Sequence, residues 1–184
     1  MHFAKPDASE HSPYMSLYVN TTEQLLAARG DSNLLAVLEE QPAQLRAMLS
    51  GIEPSLASFA YAPGKWTLAE SLLHVADTER VFSYRLTWIA RGDKTPLPGF
   101  EQNDWVPESR AGQRTLWDIV GEIEAVRAST IAFVRSLDDT GLAQIGTSNN
   151  NPLSARALTW IIAGHFAHHL ALTKTRYLSA ANAR

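Results

Sequence analysis

The chain has 184 residues, a formal net charge of −3 from 16 Lys and Arg against 19 Asp and Glu, and no cysteine. The length suits one domain around a single core, and an acidic balance without a basic cluster excludes the electrostatic footprint of a DNA- or RNA-binding surface. The absence of cysteine excludes disulfides, thiolate zinc sites and a cysteine nucleophile, so metal donors must be nitrogen or oxygen and any reacting thiol must arrive with a substrate.

Met1-His2-Phe3-Ala4-Lys5-Pro6-Asp7 lacks the basic-then-apolar form of a signal peptide, and no run of about eighteen apolar residues follows, which predicts a cytoplasmic protein without a membrane span. Residues 1–20 are polar and contain proline. They read as a loosely held arm, or alternatively as a strap across the domain expected over residues 21–184. A first helix capped by Ser32 or Asn33 is predicted through Leu34, Leu35, Val37, Leu38, Leu45 and Met48 to Leu49, with a kink or restart at Pro42. Thr67 followed three residues later by Glu70 has the form of a capping box, so a second helix begins there and continues to about Trp88. Arg91-Gly92-Asp93 ends it, and the Pro- and Gly-rich run to Pro107 reads as a long ordered crossover. A third helix is predicted from about Arg114 through Ile119, Val120, Ile123 and Val134 to Leu137. Asn149-Asn150-Asn151-Pro152 reads as a tight polar turn, and Ser154 caps a final helix expected to reach Leu178. No segment alternates long enough to argue for a sheet. The expected fold class is all-α, a four-helix bundle with a long crossover between helices two and three.

Four of the six histidines lie where such helices would face their core: His74 in the second helix, and His165, His168 and His169 in the last. His165 and His169 are four apart and stack on one helical face together with Leu158, Ile161, Ile162 and Leu172, whereas His168 falls near its edge. Imidazoles at this spacing can hold two nitrogens on one side of a metal ion, and a third ligand must come from elsewhere. His74 is the other histidine in an apolar helical segment. A single such histidine is more often a hydrogen-bonded core residue, but several buried together without a metal or carboxylate partner would be costly. Thr67, Glu70, Thr78, Val81, Arg85 and Trp88 share the arc of His74, with Asp77 beside it. Glu70 or Asp77 is therefore a candidate to accept the second ring N–H of His74, although Glu70 could serve only as a cap and Asp77 could pair with Arg85.

Gly64-Lys65-Trp66-Thr67 leading into Glu70, His74, Asp77 and Arg85, then Pro96-Leu97-Pro98-Gly99-Phe100, and finally Arg156-Ala157-Leu158 through Gly164-His165-Phe166-Ala167-His168-His169-Leu170, resemble the DinB/YfiT-like superfamily from about Ser32 onward. The resemblance implies a four-helix bundle with a metal held by His74, His165 and His169, the three that helical geometry selects, with His168 in reserve. It also implies homodimerisation and, since several such proteins resemble thiol-dependent transferases or isomerases using bacillithiol, mycothiol or glutathione, transfer of a low-molecular-weight thiol to an electrophilic small molecule.

Zinc, nickel and iron all accept three histidines. An open coordination position would suit thiol transfer, with Arg85 meeting a carboxylate of the thiol and Trp66, Trp88 and Trp105 as pocket walls. It would equally suit a metal-dependent hydrolase with Glu70 or Asp77 as general base. Closure by His168 or a carboxylate would instead indicate a non-catalytic module.

Overall fold

Four polar side chains set the starts of the long helices: Asn33, Thr67, Thr115 and Ser154 each accept a hydrogen bond from the backbone N–H three residues on, satisfying donors left open in a first turn. The computed structural model describes residues 3–181; expectations that touch residues 1, 2 and 182–184, the ends of the predicted arm and domain, lie outside it. The helices are α1 (Ser16–Arg29), α2 (Leu34–Met48), α3 (Leu68–Ala90), α4 (Gln102–Glu108), α5 (Leu116–Arg135), α6 (Asp139–Leu142) and α7 (Ala155–Leu172). α2, α3, α5 and α7 form the expected bundle, in which α3 and α2 each pack against both α5 and α7.

The helix α2 runs through Pro42 without the predicted restart. Proline at 42 cannot donate to the carbonyl of Leu38, and Nη1 of Arg127 donates to that oxygen instead at 2.9 Å. The same guanidinium makes a two-pronged pair with Glu79, at 2.7 and 2.8 Å, and donates to Gln41 Oε1, while Gln41 donates to the carbonyl of Ala163. One buried network thus joins α2, α3, α5 and α7 in the layer next to the histidines.

The N-terminal segment packs against the bundle. Phe3 is buried, and the buried carboxylate of Glu10 accepts from Ser154 Oγ and Arg156. Residues 16–29 then form α1, which packs chiefly on α7. The crossing is close because Gly164 lacks a side chain: a Cβ there would lie 1.9 Å from the carbonyl oxygen of Tyr18.

Two further differences concern short elements. The polar turn predicted at 149–152 joins a small antiparallel hairpin, β1 (Ile145–Ser148) and β2 (Asn151–Ser154), that the sequence reading lacked. Asn149 and Asn150 both adopt positive φ, the geometry of a tight hairpin turn. The crossover hydrogen-bonds to this hairpin through Leu97, whose N–H reaches Thr147 O at 2.9 Å. The last helix continues past α7 as a π-helical turn, Thr173–Leu178.

Candidate metal centre

His74 lies two turns inside α3, and His165 and His169 lie one turn apart on α7. Because α3 packs directly on α7, the three side chains meet in the buried seam between them, with one ligand-capable atom from each within 4.8 Å of the others. Nε2 of His74 and Nε2 of His165 are 3.3 Å apart. Two nitrogens bound about 2.05 Å from one ion at a tetrahedral angle would be separated by about 3.3 Å, so this pair already has the spacing of two ligands on a common metal.

All three rings are neutral donors. Burial pushes His74 down to about 4. Burial also holds His165 and His169 well below the usual imidazole range, with the neighbouring histidines adding to the effect. A neutral imidazole is the form that binds metal, so the residues present suit a divalent ion.

The rings are oriented by hydroxyls. Ser71 Oγ lies 3.3 Å from Nδ1 of His169, which leaves Nε2 of that ring for the seam. Thr78 Oγ1, one turn along α3 from His74, lies across the edge of its ring, 3.2 Å from Nδ1 and 3.4 Å from Nε2. The expectation that Glu70 or Asp77 would serve His74 is corrected here. Glu70 Oε2 accepts from both N–H and Oγ1 of Thr67, at 2.7 and 2.9 Å, and is occupied as the cap. Asp77 pairs with Arg80, not with Arg85, on the side of α3 that faces Glu122 of α5. Burial raises the pKa of Asp77, but it lines neither of the cavities that reach the histidines.

Two cavities reach the cluster. One, of about 420 Å³, is lined by Thr78, Phe82, Arg85 and His165 together with the crossover and the hairpin. The other, of about 300 Å³, is lined by Trp66, Ser71, His74, His168, His169 and Tyr177. Tyr14, Tyr18 and Gln102 line both. Trp66 is a wall as expected, its ring 4.9 Å from that of His74. Trp88 packs on Tyr84 and Trp105 on Phe100, and neither lines these cavities. His168 is half-buried at the edge of the second cavity, its ring 5.4 Å from that of His169 and outside the group of three.

Sequence reasoning missed Ser71, Tyr18 and Tyr177. Ser71 lies three residues before His74, within reach of the next helix rather than of His74. Tyr18 packs edge-on against His165 and His168, at 5.2 and 5.9 Å between ring centroids, from a helix that was not anticipated. Tyr177, on the π-helical turn, donates to the carbonyl of Trp66 at 2.8 Å and so ties the end of α7 to the entrance of α3.

Known proteins share this arrangement of helices. The chain is 24% identical over 141 residues to a protein of Geobacillus thermodenitrificans (strain NG80-2) named "Putative metal-dependent hydrolase", covering 74% of this chain and 78% of that one. A protein of the same description from Geobacillus kaustophilus (strain HTA426) is 23% identical with the same coverage. The solved structure of YfiT from Bacillus subtilis, described as a "probable metal-dependent hydrolase with an unusual four-helix bundle topology", superposes with a TM-score of 0.70 at 18% identity, over 95% of this chain and 97% of that one. Residues 37–172, which hold α3, α5, α7 and all three histidines, match the sequence profile of the DinB superfamily, and the chain belongs to that superfamily.

Proposed function

We propose that His74, His165 and His169 hold a divalent metal ion, with zinc or nickel ahead of iron, and that the protein joins a low-molecular-weight thiol to an electrophilic small molecule. The observation that carries this reading is a donor set of three neutral imidazoles that opens on two cavities and, among the described residues, has no carboxylate hydrogen-bonded to it. Bound there, the ion would supply a Lewis acid with positions left for an incoming ligand, and would lower that ligand's pKa.

The chain's own groups supply the rest. Ser71 and Thr78 hold the rings of His169 and His74 in orientation. Trp66 packs tilted against the ring of His74 and Tyr18 packs edge-on against that of His165, which limits how far either ring can turn. A thiol, with an ordinary pKa near 8.5, needs only a small lowering to ionise at neutral pH, whereas water starts at about 15.7. With Glu70 committed to its cap and Asp77 to Arg80, neither is placed to take a proton from water, and this favours the thiol. In the reaction the sulfur forms a bond to the electrophilic carbon, the thiol proton passes to solvent, and the displaced group leaves with its electron pair.

Hydrolysis is the second reading, supported by the descriptions of the Geobacillus relatives. Both readings are tested on protein purified without a histidine tag. Elemental mass spectrometry measures its metal, and thiol consumption is followed with glutathione and 1-chloro-2,4-dinitrobenzene. The expected result is near-stoichiometric metal and a thiol reaction abolished by chelation. Metal-dependent cleavage of 4-nitrophenyl acetate without any thiol would replace the leading reading with the second. No metal, even after reconstitution with zinc and nickel, would overturn both.

A further inference from the structure

Arg85 sits on the inward face of α3 with only 5% of its surface exposed, and among the described residues it has no acidic partner. A guanidinium carries five N–H donors. One of them, on Nη2, reaches the carbonyl of Pro98 at 2.8 Å, and the group lies over the ring of Phe100 at 5.7 Å. A buried cation without a counter-charge is expensive unless something supplies one.

Ser148, at the end of β1, is an independent observation in the same place. It is also 5% exposed, and its Oγ has no hydrogen-bond partner. Both residues line the cavity of about 420 Å³ that reaches Thr78 and His165.

The backbone fixes the two donors relative to each other. Leu97 bridges the crossover to the hairpin, its N–H reaching Thr147 O at 2.9 Å and its carbonyl receiving Asn149 N at 3.0 Å. The next residue, Pro98, moors Arg85. Gly99 then passes so close to the hairpin that a Cβ would lie 2.6 Å from Asn149 Oδ1. The crossover therefore clamps Arg85 from one side and Ser148 from the other.

We infer that Arg85 and Ser148 form a carboxylate-binding subsite, which holds a carboxylate-bearing substrate with its reacting group toward the histidines. The planar fork of a guanidinium matches the two oxygens of a carboxylate, and a hydroxyl can donate to either of them. A dianionic phosphate fits less well. Among the described residues Arg85 is the only Lys or Arg lining this cavity, and Glu101, whose carboxylate caps α4 through Asn103, lines it too. The purpose of the subsite rests on the proposed function; its existence does not.

The test is titration calorimetry of the protein as purified, its metal content measured on the same sample, with benzoate, its neutral isostere benzamide, and inorganic phosphate. Benzoate is expected to bind at least tenfold more tightly than benzamide and more tightly than phosphate. Arg85→Met should abolish that preference and Ser148→Ala should weaken benzoate several-fold. Benzoate and benzamide binding alike in the unmodified protein would overturn the inference without recourse to any variant, and phosphate binding more tightly than benzoate would overturn the assignment to a carboxylate. Benzoate selectivity that persists in Arg85→Met while metal is present would also overturn it, and would leave the proposed function standing. Arg85-dependent selectivity in protein that holds no metal would support the subsite while the proposed function fails.

Discussion

His74 Nε2 and His165 Nε2 face each other at 3.3 Å across the seam between α3 and α7. Two neutral imidazoles at this distance either share one proton or converge on one ion, and the third ring of His169 gives the second arrangement a full ligand face. Replacing His74, His165 or His169 singly with Ala should lower metal content to less than a tenth of the unmodified protein's after dialysis against a weak chelator. His168→Ala should retain it. Elemental analysis with circular dichroism as a folding control decides; equal loss in the His168 variant would reassign the ligands.

Ser71 offers a subtler change. Its hydroxyl sits 3.3 Å from Nδ1 of His169, and groups that orient a ligand imidazole typically contribute about 10- to 100-fold in affinity. Ser71→Ala is expected to weaken zinc binding by about tenfold in a competition with a chromophoric chelator, with helix content unchanged. Affinity equal to that of the unmodified protein would show that packing alone orients the ring.

The metal-free protein should be acid-labile at unusually mild pH. His74 titrates near 4 in the folded chain and His165 and His169 lie well below the ordinary value, whereas unfolded histidines take up protons near 6.5. Between about pH 6.5 and 4 the unfolded state therefore binds more protons, and stability falls as pH is lowered, by up to about 1.4 kcal/mol per pH unit for each ring. Urea unfolding of chelator-treated protein at pH 7.5, 6.0 and 5.0 should show the midpoint dropping. His74→Leu should lessen that dependence without abolishing it, because His165 and His169 remain, and a midpoint constant from pH 7.5 to 5.0 would contradict the buried neutral assignment.

Gly164→Ala places a methyl group against the carbonyl of Tyr18, 1.9 Å away in the present packing. Neither backbone has a flexible end to yield, so α1 must move off α7, at a cost of at least about 1–3 kcal/mol. Faster limited proteolysis within Ser16–Arg29 and a lower melting temperature are expected. The shift of Tyr18 should also loosen the ring contacts it makes with His165 and His168.

The bundle helices and the three histidines were legible in the sequence because both follow from a single periodicity: caps at Asn33, Thr67 and Ser154, apolar stripes, and a four-residue spacing on the last helix. The partners of the histidines were not. A helical projection places Glu70 and Asp77 beside His74 but says nothing of which neighbouring element each will meet, and both found stronger local uses. α1 was hidden because its buried face mixes Thr22 with Tyr18, Val19 and Leu26, while Leu17 is exposed. The hairpin was hidden because its strands are four residues each and include Gly146 and Pro152, poor strand formers. The restart predicted at Pro42 failed for a tertiary reason, since Arg127 replaces the lost backbone donor.

That replacement makes Arg127 a structural keystone. Arg127→Met would strand both the Glu79 carboxylate and the Leu38 carbonyl in the core, and should destabilise the protein by about 3–5 kcal/mol in urea unfolding. Pairing it with Glu79→Leu should recover much of that loss, because the uncompensated charge disappears with its partner. No recovery in the double variant would place the loss in the Leu38 and Gln41 bonds instead.

His74 and His165 stand 91 residues apart in the sequence. An ion shared between them would find its ligands together only in the folded chain, so its binding free energy would add directly to folding, by about 4 kcal/mol when free metal stands at about 1,000 times its dissociation constant. A protein without a single cysteine would thereby carry a long-range tie between distant segments that is made reversibly and without an oxidant. Metal supply would then govern how long the folded chain survives as well as what it can do.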